Sequence, residues 1–204
     1  MGGRCPQLSL PHDDEGEGTT VNYTTPSGFR DVLADEAARR EEAAFDVQQL
    51  LSRNGYVPVE TPTLEIMDVM NAGGRVPGTP FKLFDSRGDL LALRPDVTLQ
   101  IARMCATRLA GQPGPFRFRY QERVFREAEG RPQAEAREMT QVGVELIGEA
   151  GPAADAEVIA LLAESLERVG VGNFRISVAT VGVLRALLAG SGADEAWKAG
   201  VLSA

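Results

Sequence analysis

The chain has 204 residues, 43% of them apolar and 6% aromatic, with 29 acidic against 21 basic side chains and a net charge of −8. That length supports one substantial core, or one domain with a small appendage, and the composition is ordinary for a globular protein. No window approaches the roughly 18 apolar residues that span a bilayer. Arg4, Pro6 and Gln7 interrupt Met1 to Leu10, so no apolar leader core is expected there.

Residues 1–22 are rich in Gly, Asp and Glu and poor in apolar side chains, which predicts a disordered tail ahead of a core over 23–204. From Asp35 the pattern turns helical, with Ala38, Ala44, Phe45, Val47, Leu50 and Leu51 as the expected buried stripe and Asn54-Gly55 as the stop. Tyr56 to Pro62 reads as an extended piece in which Pro58 and Pro62 exclude a central strand position. A short helix over Leu64 to Met70 and a Gly-rich loop over 71–80 are expected next. Phe81 to Asp85 and Leu90 to Leu93 flank Ser86-Arg87-Gly88-Asp89, the pattern of a β-hairpin. Pro95 opens a predicted helix whose buried stripe is Ile101, Met104, Cys105 and Leu109. Two longer strands, 116–125 and 138–147, follow around a polar loop, then a helix over 153–169, a strand over 174–178 and one or two terminal helices. The strands are expected to run mostly as antiparallel neighbours with helices against them, which is an α+β fold.

Cys5 and Cys105 are far apart in sequence and match no disulfide framework or metal-ligand spacing, so a reducing cytoplasm is the expected setting. The densest basic run, Arg117, Arg119, Arg123 and Arg126, lies in or beside a predicted strand, where alternation divides it between two faces. A partly ion-paired sheet surface is the reading it supports, ahead of a nucleic-acid interface.

Chemistry concentrates between Arg94 and Glu145. Period-two alternation along 137–147 puts Arg137, Met139, Gln141, Gly143 and Glu145 on one face and Val142, Val144 and Leu146 on the other. The first face offers a carboxylate and a carboxamide suited to an ammonium group, with Gly143 expected to leave room between them. Arg126, at the end of the neighbouring strand, offers a guanidinium for a carboxylate or phosphate. Asp96 and Thr98 stand at a helix entry, where a side-chain oxygen caps the backbone or faces a ligand. Taken singly, each has a bland alternative: a helix cap, a surface ion pair, an exposed sheet face. Three segments delivering complementary groups favour one binding site.

The run Leu93-Arg94-Pro95-Asp96-Val97-Thr98, then Val124-Phe125-Arg126, then Arg137-Glu138-Met139-Thr140-Gln141-Val142-Gly143-Val144-Glu145 resembles the catalytic core of histidyl-tRNA synthetase. It is more similar still to the paralogous regulatory subunits of ATP phosphoribosyltransferase in histidine biosynthesis. The resemblance spans roughly residues 26–190. It implies a class II aminoacyl-tRNA synthetase sheet with flanking helices, and a homodimer interface built around the segment ending at Pro62. It implies that Asp96 and Thr98 hold a histidine ammonium group, that Arg126 meets the carboxylate, and that Gln141 and Glu145 complete the amino-acid pocket.

Departures from the synthetase pattern fall on nucleotide handling. Ala128 stands where the synthetase places an adenine-reading glutamate, and Glu135 where a basic residue is expected. An acid beside a triphosphate is repulsive by roughly a few kcal/mol in a poorly solvated site. Asp96 replaces the usual glutamate with a shorter acid. The chain ends at Ala204, before the third class II motif, so the core is expected to be C-terminally incomplete. The expectation is therefore a non-catalytic regulatory subunit that binds histidine and the short-form catalytic phosphoribosyltransferase, with no cofactor, no metal and no tRNA. The alternative is the N-terminal part of a divergent histidine–tRNA ligase.

Overall fold

The structure, a computed structural model, describes residues 24–72, 78–127 and 136–203. The expected tail and most of the Gly-rich and 127–136 loops lie outside those residues, Ala128 and Glu135 among them. In chain order the elements are α1 (Ala34–Arg53), β1 (Val57–Pro58), β2 (Leu64–Ile66), α2 (Met67–Ala72), β3 (Lys82–Phe84) and β4 (Leu90–Leu93), followed by α3 (Thr98–Thr107), β5 (Phe116–Phe125), β6 (Glu138–Ile147), α4 (Pro152–Arg168), α5 (Val181–Gly190) and α6 (Glu195–Ser203). They form two three-stranded sheets, ordered β1-β5-β6 and β2-β4-β3. The chain divides into two compact units: Met1–Ala37, Pro62–Gln100 and Arg123–Thr140 form one, and Ala38–Thr61, Ile101–Glu122 and Gln141–Ala204 the other.

The first unit is organised by β4, which pairs antiparallel with β2 on one side and β3 on the other. The expected hairpin is present. Asp85 closes it, its Oδ1 accepting from the backbone N–H groups of Arg87 at 2.8 Å and Asp89 at 2.9 Å, and Gly88 supplies the left-handed residue at φ 86°. The short helix read over Leu64 to Met70 is corrected at its start. Leu64, Glu65 and Ile66 are a strand paired with Leu93, Ala92 and Leu91, and the helix begins only at Met67. A β4 edge awaiting a partner overrides local helical propensity.

The second unit packs α1 and α4 against the sheet. Leu51, Tyr56 and Leu161 are its buried cluster, and Val47 of α1 and Val142 and Val144 of β6 pack onto it. Both valines are on the face assigned to the core from alternation. Two members of the α1 stripe are corrected: Ala38 and Phe45 are exposed, Phe45 at 59%, while Ala44, Leu50 and Leu51 are buried. β1 is parallel to β5, with Val57 opposite Phe118, and it occupies the sheet edge that its prolines require. The strand read over 174–178 is absent: residues 171–180 take no regular structure, and Val178 is 70% exposed. An apolar run without a neighbouring edge has nowhere to place its backbone hydrogen bonds.

The basic run is partly ion-paired, as expected: Arg117 and Arg123 meet carboxylates, Arg123 through Glu138. Arg117 bonds Glu157 of α4 through Nε and Nη2, both at 3.0 Å, and reaches Glu149 at 2.8 Å. Arg119 donates from Nε to the Tyr56 carbonyl at 3.2 Å and from a terminal nitrogen to Gln48. Tyr56 donates its phenol proton to Glu157 at 2.8 Å.

This network fixes the response to pH. The hydrogen bond from Arg117, reinforced by Tyr56, holds the Glu157 carboxyl below its ordinary range, so its contribution is full above about pH 4.3 and is lost as pH falls through the folded value. Burial, and then the bond to Glu157, push the Tyr56 phenol up to about 12, so its contribution is full below about pH 10 and fades as pH rises through that value. In urea titrations across pH, Glu157→Gln is expected to flatten the acid arm. An acid arm identical to wild type would refute the assignment.

Candidate functional site

In the first unit the segment 94–98 is built around a buried arginine. Arg94 is 3% exposed, and its Nε donates to the Arg123 carbonyl at 2.7 Å. Its own N–H donates to the Thr63 carbonyl at 3.0 Å, and its carbonyl accepts from the Phe125 N–H at 2.9 Å. With the Arg94 and Pro95 carbonyls committed to β5 and Arg126, the helix cannot start at Pro95 as expected; α3 starts at Thr98. Asp96 is half-buried immediately ahead of that helix, and Thr98 is exposed as its first residue. Gln100, 1% exposed, anchors the first turn by donating to the Pro62 carbonyl at 2.9 Å.

Arg126 is not a loose surface cation. Its Nε donates to the Pro95 carbonyl at 2.9 Å, which fixes the guanidinium beside the residue preceding Asp96. Its stem lies over Gly78, where an added Cβ would sit 3.3 Å from Arg126 Cδ on a backbone already at φ 70°. Its backbone N–H donates to the Arg137 carbonyl at 3.0 Å. A guanidinium held through Nε leaves its two coplanar terminal nitrogens for a ligand, the pair that takes a carboxylate end-on.

Arg137 braces that strand end. Its guanidinium carbon lies 4.4 Å from the Phe81 ring centroid and 5.7 Å from that of Phe29. It also pairs with Glu127 and donates to the Ser27 carbonyl, while its backbone N–H donates to Gly28 at 2.9 Å. Arg137, read from alternation as part of the polar face, thus has a structural duty that the linear sequence did not reveal.

In the second unit Gln141 and Glu145 are half-buried on the β6 face opposite Val142 and Val144, as alternation requires. Gln141 donates from Nε2 to the Tyr120 phenol oxygen at 3.2 Å. Its Oε1 is buried and has no hydrogen-bond partner among the described residues. Glu145 is close enough to Cys105 that, after burial, its charge is the second cause raising that thiol's pKa.

The room expected at Gly143 is already filled. A Cβ there would meet the Tyr120 hydroxyl at 2.5 Å and its ring at 2.6 Å, so the glycine accommodates a protein side chain. Tyr120, 5% exposed, is the residue that reading the strands singly missed. A mid-strand glycine signals close approach by something. β5 and β6 are neighbouring strands, and the Tyr120 side chain of β5 is what lies against Gly143 of β6. Gly143→Ala is expected to drive the phenol off Gln141 and cost about 1–3 kcal/mol. An unchanged urea midpoint would show that the ring can shift freely.

Among the described residues no group of three His, Cys, Asp or Glu side chains is placed to hold a metal ion, and no helix is long and apolar enough to cross a membrane.

The sequence model described as histidyl-tRNA synthetase matches residues 28–204. The chain belongs to the histidyl-tRNA synthetase family. Within that family it is 40% identical over 177 residues to a protein of Desulfitobacterium hafniense named ATP phosphoribosyltransferase regulatory subunit, covering 87% of this chain and 45% of that protein. A Symbiobacterium thermophilum protein of the same name is 41% identical over 180 residues, covering 86% and 45%. Among solved structures, a Bacillus halodurans protein described as an ATP phosphoribosyltransferase regulatory subunit/histidyl-tRNA synthetase superposes with a TM-score of 0.78 at 34% identity, over 89% of this chain and 47% of that one. A histidine–tRNA ligase subunit from Alicyclobacillus acidocaldarius gives 0.72 at 33% identity, over 91% and 54%. The fold is thus the class II synthetase type expected from the sequence. The chain spans about half the length of the curated relatives it matches.

Proposed function

We propose that this chain serves as part of a regulatory subunit of ATP phosphoribosyltransferase, a non-catalytic cytoplasmic protein that binds histidine and supports the catalytic subunit in the first step of histidine biosynthesis. The observation that carries this reading is identity of about 40% to two proteins bearing that name. In the proposed roles Asp96 and Thr98 take the ammonium group, Arg126 the carboxylate, and Gln141 and Glu145 the rest of the amino acid. The Nε bond to Pro95 supports the Arg126 role, because it presents a planar, oriented cation. Histidine would regulate the enzyme by binding one quaternary state more tightly than another.

The partners in this reading are the short-form catalytic subunit and a second copy of the regulatory subunit. The homodimer role is supported by exposed apolar side chains on the elements ahead of Pro62, Phe45 of α1 at 59% and Val57 of β1 at 54%. The non-catalytic role draws on Ala128 and Glu135, which replace groups the synthetases use on ATP.

Two measurements test it. The protein is expected to co-purify with the short-form catalytic subunit, and no complex at micromolar concentration would sink the assignment. Histidine titration of wild type against Glu145→Ala is expected to show weaker binding by the variant; equal affinities remove Glu145 from the site. The second reading, part of a histidine–tRNA ligase, is favoured by the likeness to the Alicyclobacillus ligase subunit. Histidine-dependent exchange of pyrophosphate into ATP would establish it.

A further inference from the structure

We infer that residues 24–29 form a strap that holds the Arg126 guanidinium in its pose against Pro95, with Phe29 as the positioning residue that acts through Arg137. The role of Arg126 toward a carboxylate rests on the amino-acid reading above; the strap, to which that reading gives no duty, does not. Local sequence builds it. Pro26-Ser27-Gly28-Phe29 closes a tight turn: the Phe29 N–H donates to the Pro26 carbonyl at 2.9 Å, and Gly28 takes the left-handed third position at φ 79°. The Thr25 hydroxyl, donating to the Phe29 carbonyl at 2.9 Å, ties the turn from outside. Two of its carbonyls then reach one arginine. The Gly28 carbonyl accepts from the Arg137 N–H at 2.9 Å, and the Ser27 carbonyl accepts from a terminal nitrogen of its side chain at 3.2 Å.

On its other side, the Arg137 carbonyl accepts from the Arg126 N–H at 3.0 Å, so residue 137 links the strap to Arg126. Ring contacts fix that link. The Arg137 guanidinium carbon lies 4.4 Å from the Phe81 centroid and 5.7 Å from that of Phe29, and the two rings meet at 5.9 Å, tilted by 59°. The Arg137 side chain is 18% exposed, and its Nε is buried with no partner among the described residues. The rings and its terminal nitrogens therefore carry the cation. Phe81 is tied to β4, its carbonyl accepting from the Leu93 N–H at 2.9 Å, whereas Phe29 lies in no strand. Phe29 is the ring that arrives with the strap. Arg126 tolerates little movement at that link: its 2.9 Å bond to the Pro95 carbonyl fails with a shift on the order of 0.5 Å.

The test uses the 204-residue chain with Phe29→Ala, and with Phe29→Tyr as the variant that keeps the ring. Without ligand, the Arg126 Nε–H should exchange with water about five- to tenfold faster in Phe29→Ala, read in proton–nitrogen spectra, and return to the wild-type rate in Phe29→Tyr. The Arg94 N–H, bonded to the Thr63 carbonyl in the same unit, should keep its rate. Unchanged exchange at Arg126 overturns the strap. So does an equal rise at Arg94, which would mean that the ring only stabilises the unit. In calorimetry, Phe29→Ala should weaken histidine by about five- to tenfold but histidinol, which has no carboxylate, by less than about twofold. Equal losses for the two would overturn the positioning role. If exchange at Arg126 alone rises while wild type binds neither compound, the strap stands and the amino-acid reading falls.

Discussion

Arg94→Ala is expected to lower the stability of the first unit by about 3–4 kcal/mol, the largest effect of any single change near the candidate site. The side chain is 3% exposed, so truncation leaves a cavity where a long stem was packed. It also strips the Arg123 carbonyl of its 2.7 Å donor, and a carbonyl left bare inside a protein costs more than a bond that was never made. Arg94→Lys tests the geometry directly. An ammonium keeps the charge but has no in-line Nε–H, so it should recover less than half of the loss. Urea denaturation followed by circular dichroism checks both, and a lysine variant as stable as wild type would show that charge alone matters. The consequence for binding is specific. Arg94 ties the turn carrying Asp96 to residues 123 and 125, three and one before Arg126, so its loss should weaken ligand before the fold is lost.

In the second unit, Tyr56→Ala is expected to cost about 3–5 kcal/mol. Tyr56 is 1% exposed and forms a buried cluster with Leu51 and Leu161, with Val47, Val142 and Val144 around it. The chain reaches it through Gly55, whose φ of 83° lets α1 stop and turn at once into the sheet. Tyr56→Phe separates the ring from the hydroxyl. It keeps the packing, removes the 2.8 Å bond to Glu157, and should cost about 1 kcal/mol while abolishing the alkaline arm of the pH profile above. If Tyr56→Phe and Tyr56→Ala proved equally damaging, the hydroxyl rather than the ring would hold the cluster together.

The periodic parts of this fold were legible from the sequence. α1, the 81–93 hairpin, both long strands and α4 follow from apolar spacing and turn residues, because those patterns are local. Leu64 to Ile66 did not, because their strand state depends on β4, which lies later in the chain. The 174–178 run failed for the opposite reason: its composition suits a strand, but no edge is beside it among the described residues. The start of α3 moved for a third reason. Pro95 is well suited to open a helix, but its carbonyl is spent on Arg126.

The site divides in the same way. Which face of 137–147 is polar could be read from alternation alone. Gly143 was read as space for a ligand, and only the pairing with β5 shows that Tyr120 takes that space. Arg126 could be nominated from its position at a strand end. Its orientation depends on a carbonyl 31 positions earlier, which no local pattern encodes.

The two-residue strand β1 has a consequence for how other chains can meet this sheet. Strand edges recruit foreign peptides because they present unused N–H and C=O groups in register. At β1 that ladder is two residues long and one of the two is Pro58, which has no N–H to offer. An incoming extended peptide therefore finds a broken template on that side. The ten residues of β6, free of proline, close the other end of the sheet among the described residues. Strand addition at the β1 edge is consequently resisted, because the proline interrupts the template an incoming backbone would need.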